Sequence, residues 1–318
     1  MAQEAALILV EATPDMSRAR DRATFEAWGG GLSLEDYLEL EGRLRGHAWA
    51  REAAASWQLR AGADDVLCSC ETYRMDSRCG ASLGHSYGIA SVYTEPGRRR
   101  RGHVSALLAR LAEHLVRIDP RAQAMVLFSD VALETYGKSG FAARPALQLA
   151  FPALEGDPGA GVDATVREDE LPRLLADLPL PAGAFAIRPS AAQIDWQLER
   201  ERCAAGMAGL PRAPGCGARL GAAAILWTAD HRYGELKILL LQAPRRAEAE
   251  ALVLSARRAA GAAGLRRAVL WCGPGDPPWP GAVAEDRLER LEAVPMLRPL
   301  DPRVRAGDWD WIPRALWL

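Results

Sequence analysis

Val92-Tyr93-Thr94-Glu95-Pro96-Gly97-Arg98-Arg99-Arg100-Arg101-Gly102-His103-Val104-Ser105-Ala106-Leu107-Leu108 is the stretch that decides the fold of this 318-residue chain. Its opening residues belong to the run Ile89 to Thr94, which reads as a strand ended by Pro96 and Gly97. From Val104 onward, Val104, Leu107, Leu108, Leu111 and Leu115 recur at helical spacing. A basic turn therefore joins a strand to an amphipathic helix that begins at Gly102. A helix start carries unpaired N–H groups and the positive end of the helix dipole, a combination suited to anions and above all to phosphates. Gly102 lets a ligand approach the backbone, and Arg99, Arg100 and Arg101 can pair with phosphate oxygens. The glycine spacing is neither that of a Walker A loop nor that of a dinucleotide fingerprint. Taken alone, the Arg run also reads as a solvated face or a nucleic-acid patch.

The segments around this turn have a consistent order. Leu32 to Arg45 reads as a helix with Leu34, Tyr37, Leu38 and Leu44 on its apolar face, and Val66 to Tyr73 reads as a strand. Met125 to Phe128 is a short buried strand, followed by a short helix that stops at Gly140. Strand, strand, helix, strand and helix thus follow one another. The later part repeats much of this: strand Ala222 to Thr228, turn Asp230 to Gly234, strand Leu236 to Leu241, helix Ala247 to Ala260, strand Ala268 to Trp271. Between Phe151 and Gly161, Pro152, Gly156, Pro158, Gly159 and Gly161 crowd together as they do in linkers. The expected domains are therefore 1–155 and 162–318. Trp309, Trp311 and Trp317 in the closing stretch predict a tail docked onto the body.

Composition narrows the function classes. The chain is 49% hydrophobic and 25% charged, with ample apolar surface for two cores. Its net charge of −2 and pI near 6.3 argue against a nucleic-acid partner and against an anionic membrane surface. Only Lys138 and Lys237 among the 39 basic residues are lysines, which lowers the weight of any one Arg cluster. None of the 6 cysteines forms a Cys-x-x-Cys pair, and Cys68 and Cys70 share a strand face as buried thiols. His103 and His114 have no third ligand beside them, so no metal is expected. The apolar run Ala5 to Val10 is too short for a signal peptide, and nothing is long enough to span a membrane. The expectation is a cytoplasmic, reduced protein.

Arg99-x-x-Gly102-x-Val104 resembles the Arg/Gln-x-x-Gly-x-Gly/Ala signature of the GNAT superfamily of acyl-CoA N-acyltransferases, with Val104 in place of the small residue. Tyr136-Gly137-Lys138-Ser139-Gly140-Phe141 is similar to a second family element, Tyr-x-x-x-Gly-Phe after a strand. The resemblance covers roughly residues 1–150. It implies an α/β GNAT fold with a mixed, splayed central sheet, followed by a second, degenerate GNAT-like α/β domain. Cys68 to Arg74, Ser91 to Thr94 with Pro96, Phe128-Ser129-Asp130 and Val294 to Arg298 further resemble fungal lysine N-acetyltransferases of lysine catabolism.

The resemblance implies acetyl-CoA as co-substrate, transferred directly to the side-chain amine of free lysine or a similar small amine. Other readings are a protein lysine or N-terminal acetyltransferase and a non-catalytic CoA-binding scaffold. Backbone groups of Val92, Tyr93 and Thr94 would pair with the pantetheine arm. Arg99, Arg100, Arg101, Gly102, His103, Val104 and Ser105 would surround the pyrophosphate. Tyr136 falls where the departing thiolate is reprotonated. An acceptor ammonium has a pKa of about 10.4, so freeing the amine at pH 7 costs about 4–5 kcal/mol and calls for a base. Glu71, inside an apolar strand, is the preferred base or else an ion-pair partner of an Arg; Glu95 and a water relay are alternatives. Tyr73 joins Glu71 on the acceptor side, and Arg298 is the candidate grip on an acceptor carboxylate.

Gly84-His85-Ser86-Tyr87-Gly88 has the Gly-x-Ser-x-Gly spacing of a nucleophile elbow, but a polar stretch precedes it and a strand follows it, the wrong context. In the second half, Gln242-Ala243-Pro244-Arg245-Arg246 stands at the strand-to-helix junction without a glycine, so no second coenzyme loop is expected.

Overall fold

Thr13 and Ser33 each stand just before a helix, and each side chain accepts a backbone N–H from the first turn, at 3.3 Å from Met16 and 3.1 Å from Asp36. The computed structural model describes residues 6–62, 65–179, 183–276, 284 and 286–318. Ala5 lies outside the described residues; the rest of its apolar run opens the first strand.

The chain begins β1 (Leu7–Glu11), α1 (Pro14–Trp28), α2 (Leu34–Gly46), α3 (Ala48–Ala53), β2 (Ala54–Ala61), β3 (Val66–Cys79) and β4 (Ser82–Tyr93). It continues with α4 (His103–Ile118), β5 (Ala122–Ser129), α5 (Glu134–Gly137) and β6 (Ala142–Ala143). Next come β7 (Leu147–Pro152), β8 (Ala164–Val166), α6 (Leu171–Asp177), β9 (Phe185–Arg188), α7 (Ala191–Ala208), β10 (Gly217–Leu220), β11 (Ala223–Asp230) and β12 (Glu235–Gln242). It ends with α8 (Arg246–Ala262), β13 (Arg267–Cys272), β14 (Asp286–Glu289) and β15 (Val294–Pro299).

Two compact units result. The first holds Met1–Ala143, Glu292–Asp308 and Leu318; the second holds Arg144–Leu291 and Trp309–Trp317. The stretch expected to link two halves, Phe151 to Gly161, therefore lies inside the second unit. The stretch packs closely on α8: a Cβ on Gly261 of that helix would run into the Leu154 carbonyl, and the Pro158 carbonyl accepts from buried Ser255. A linker-like composition here reflects a segment pressed against a helix.

In the first unit the strands run β1-β2-β3-β4-β5-β15-β6. Neighbours pair antiparallel except β4 and β5, which run parallel with α4 as their crossover. Leu107, Leu108, Leu111 and Leu115 of α4 are each at most 1% exposed and pack on Cys68, Cys70, Met125 and Leu127. Each such leucine contributes roughly 1.5–3 kcal/mol by burial. The opposite face is covered by α1, whose buried residues are Ser17, Arg20, Asp21 and Thr24.

The second unit has strand order β14-β7-β13-β12-β11-β10-β8. It repeats the antiparallel-then-parallel arrangement, with β11 against β12, β12 parallel to β13, and α8 as crossover. Trp309 is fully buried and Trp311 packs on the unit's second apolar cluster, so the tail docks as expected. Among the described residues, no helix is long and apolar enough to cross a membrane.

Candidate active site

Parallel pairing of β4 with β5 runs from His85↔Ala122 to Gly88↔Val126 and goes no further, although β4 continues to Tyr93 and β5 to Ser129. The cause lies on the other edge of β4. There Ala90 pairs with Glu71 and Tyr93 with Ser69, so two residues of β4, Ser91 and Val92, face the single residue Cys70. This bulge is taken up by Ser91, which has φ +52°, an unusual value for a residue with a side chain. The two strands splay, leaving backbone groups of Val92, Tyr93 and Thr94 without a strand partner on the β5 side. Thr94 Oγ1 is also buried without a hydrogen-bond partner.

The turn that follows leads to α4. The Arg99 side chain donates to the Thr94 carbonyl at 3.0 Å and Arg101 to the Gly97 carbonyl at 3.1 Å, so these two brace the turn. Arg98 pairs with Asp65 at 2.5 Å. Arg100 (φ +63°) and Gly102 (φ +79°) adopt left-handed conformations, and no atom lies within 4 Å of where a Gly102 Cβ would stand. His103, Val104 and Ser105 form the first helical turn, whose N–H groups have no carbonyl one turn back. Val104, the departure from the family pattern, packs on the apolar cluster under α4 and leaves the turn open. A free strand edge, an orphaned hydroxyl and an uncapped helix start fit a pantetheine arm ending in a pyrophosphate.

On the α1 face of the sheet, Glu71 is buried at the centre of a polar cluster. Its Oε1 accepts from Arg20 at 3.0 Å and from Ser56 at 3.5 Å, and its Oε2 accepts from the Tyr73 hydroxyl at 3.3 Å. Arg45 stands 3.8 Å from Glu71 and pairs with Asp21 at 2.9 Å. Tyr73 stacks on Trp49 with ring centroids 5.5 Å apart. The ion pair weighed for Glu71 is therefore present, and Arg20 is the partner that sequence reasoning missed. Glu95 is exposed at the turn.

Tyr136 lies on the other face, beside the α4 cluster, in edge contact with Phe141 at 6.1 Å. Burial, with Cys70 and Asp130 adding to it, pushes its hydroxyl up to about 12, so it stays protonated at neutral pH. Arg298 stands on β15. Its guanidinium donates to the Leu108 carbonyl of α4 at 3.3 Å and lies against Gly140, on the face opposite Glu71. The residue is held by the helix backbone, and the structure does not bring it to the Glu71 cluster.

The Gly-x-Ser-x-Gly stretch lies within β4, where Ser86 is bonded to Ser77 at 2.9 Å and His85 to Asp119 at 2.7 Å. His114 stacks edge-on to Trp57 at 4.8 Å. No group of three or more His, Cys, Asp or Glu that could hold a metal occurs among the described residues. In the second unit, the side chain of Glu248 accepts the backbone N–H of Arg245 at 3.2 Å and also binds its guanidinium. That helix start is closed by its own residues, unlike the one at Gly102.

Solved structures share this architecture. A GCN5-related N-acetyltransferase from Kribbella flavida aligns with 93% of this chain and 72% of its own, at 18% identity and TM-score 0.56. The corresponding figures for one from Anabaena variabilis are 93%, 73%, 14% and 0.57, and for one from Sphaerobacter thermophilus 95%, 98%, 15% and 0.53. The fold is the GNAT fold. No protein-family model and no curated protein sequence matches the chain. The GNAT arrangement accounts for the splayed β4 and β5 and for the helix crossover in each unit.

Proposed function

We propose that the chain is an acetyl-CoA-dependent N-acetyltransferase acting on a small primary amine. The observation that carries this reading is the splay of β4 from β5 beyond Gly88 and Val126, which runs into the uncapped start of α4 at Gly102. When bound there, acetyl-CoA supplies an activated acyl group. Val92, Tyr93 and Thr94 pair with its amide-bearing arm through the backbone, while the first-turn N–H groups and the nearby Arg side chains hold the pyrophosphate.

The acceptor enters from the α1 face, where Tyr73 and Glu71 lie next to each other. The Tyr73 hydroxyl, bonded to Glu71, relays the amine's proton toward that carboxylate. A backbone N–H on the free edge of β4 stabilises the oxyanion. Tyr136, protonated on the opposite face, donates toward the leaving sulfur. The acceptor is the side-chain amine of free lysine or an amine of similar size. With Arg298 engaged on α4, carboxylate recognition is no part of this reading.

The test is thiol release from acetyl-CoA across a panel containing lysine, cadaverine, N-terminal peptides and histone-tail peptides. Turnover with lysine or cadaverine above all peptides is expected, and Gly102→Glu should abolish it by filling the open turn with a negative side chain. Preference for peptides over every free amine overturns the small-amine assignment.

A further inference from the structure

The face of the second sheet opposite α8 carries a buried polar cluster that acetyl transfer does not use. Thr228 of β11 and Lys237 of β12 are paired residues on that face, and Trp271 of β13 lies beside them. Over them pack α7, with Trp196 and Arg200, and the segment Trp309–Trp317. Lys237 Nζ stands 5.1 Å from the Trp317 ring centroid, with the guanidinium carbons of Arg314 and Arg200 each 5.9 Å from it. Arg314 also lies 4.0 Å over Trp271, and Arg290 lies 3.4 Å from the same ring.

Asp230 holds Lys237, and Glu235 holds Arg267 at 2.6 Å. Arg314 is 7% exposed, yet its Nε and Nη1 have no hydrogen-bond partner; Thr228, 8% exposed, has an orphaned Oγ1. A buried guanidinium with unmet donors is costly, and an anion is the natural complement to it. The indoles flanking it suit the flat or apolar body of an organic acid better than a bare, strongly hydrated phosphate.

We propose that the second unit binds a small organic carboxylate through Arg314 and Thr228, with its body against Trp317.

The experiment titrates the full chain with sodium benzoate, following tryptophan fluorescence and thermal midpoint, with benzamide as the neutral counterpart and inorganic phosphate as the bare anion. Saturable quenching and a raised midpoint with benzoate alone are expected. Arg314→Met should weaken benzoate at least about tenfold, as loss of a charge-assisted hydrogen bond does. If that variant fails to fold, Thr228→Val serves, with a weaker benzoate response expected. Equal response to benzamide, response to phosphate only, no response to benzoate, or unchanged affinity in the folded variants each overturns the proposal. Thiol release from acetyl-CoA is not read, so the outcome is separate from that of the proposed activity.

Discussion

Arg20 donates to the carbonyl of Ser91 at 2.7 Å. Ser91 is the left-handed residue at which β4 turns away from β5, and the same guanidinium binds Glu71 and, at 3.2 Å, Ser69. One side chain of α1 thus ties the bend in β4 to the buried carboxylate of Glu71. Arg20→Leu should destabilise the chain by about 3–5 kcal/mol, because it strands a buried carboxylate. Urea unfolding measures this, and adding Glu71→Gln should restore part of the loss. An unchanged midpoint in Arg20→Leu would show that the link is dispensable.

Tyr136→Phe should lower turnover about a hundredfold while leaving CoA affinity within about twofold, since a proton donated to the leaving sulfur matters only as that sulfur departs. Calorimetry with CoA and steady-state thiol release give the two numbers. A fall in affinity with unchanged turnover returns Tyr136 to a packing role beside Phe141.

Gly261→Ala tests the close packing of Leu154 on α8. Alanine improves helix propensity by about 1 kcal/mol, but its Cβ would run into the Leu154 carbonyl oxygen, a backbone atom that cannot rotate away. A net destabilisation of about 1–3 kcal/mol is expected, read as a lower thermal midpoint. A higher midpoint would mean that the segment is held elsewhere.

Lys237 sets a pH dependence. Burial, with Arg314 adding to it, pushes its ammonium down to about 8, despite the Asp230 carboxylate. Between about 8 and the unfolded value near 10.4, the unfolded chain binds the proton and the folded one does not, so folding stability rises with pH across that window. Relative to Lys237→Met, the wild type should gain up to about 3 kcal/mol from pH 8 to 10.5. Parallel pH profiles for the two chains would remove Lys237 as the cause.

The elements that sequence reading located are those with apolar periodicity. The leucines of α4 and the strand Ala122–Ser129 announced themselves because their buried faces are hydrocarbon. By contrast, α1 buries Ser17, Arg20, Asp21 and Thr24, which have helical spacing but no hydrophobicity, so a search for apolar stripes passes over it and misses Arg20. Thr13-Pro14-Asp15, a capping residue followed by proline, was the available signal. The turn from Val92 to Ser105 was legible because backbone chemistry dictates its glycine and its flanks. The face on which Arg298 stands was not legible, because strand alternation, invisible without the sheet register, puts it on the α4 face.

The pairing of β15 with β5 sets an order for biosynthesis. One wall of the splay, β5, is exposed on its far edge until Val294–Pro299 emerges, after all of Arg144–Leu291 has been made. At ~5–20 residues per second the ribosome leaves that edge open for roughly seven to thirty seconds. A nascent chain of this design therefore carries an apolar strand with one open edge through the synthesis of Arg144–Leu291. That is the interval in which a chaperone would hold it, and in which edge-to-edge association between neighbouring polysomal chains is the main hazard.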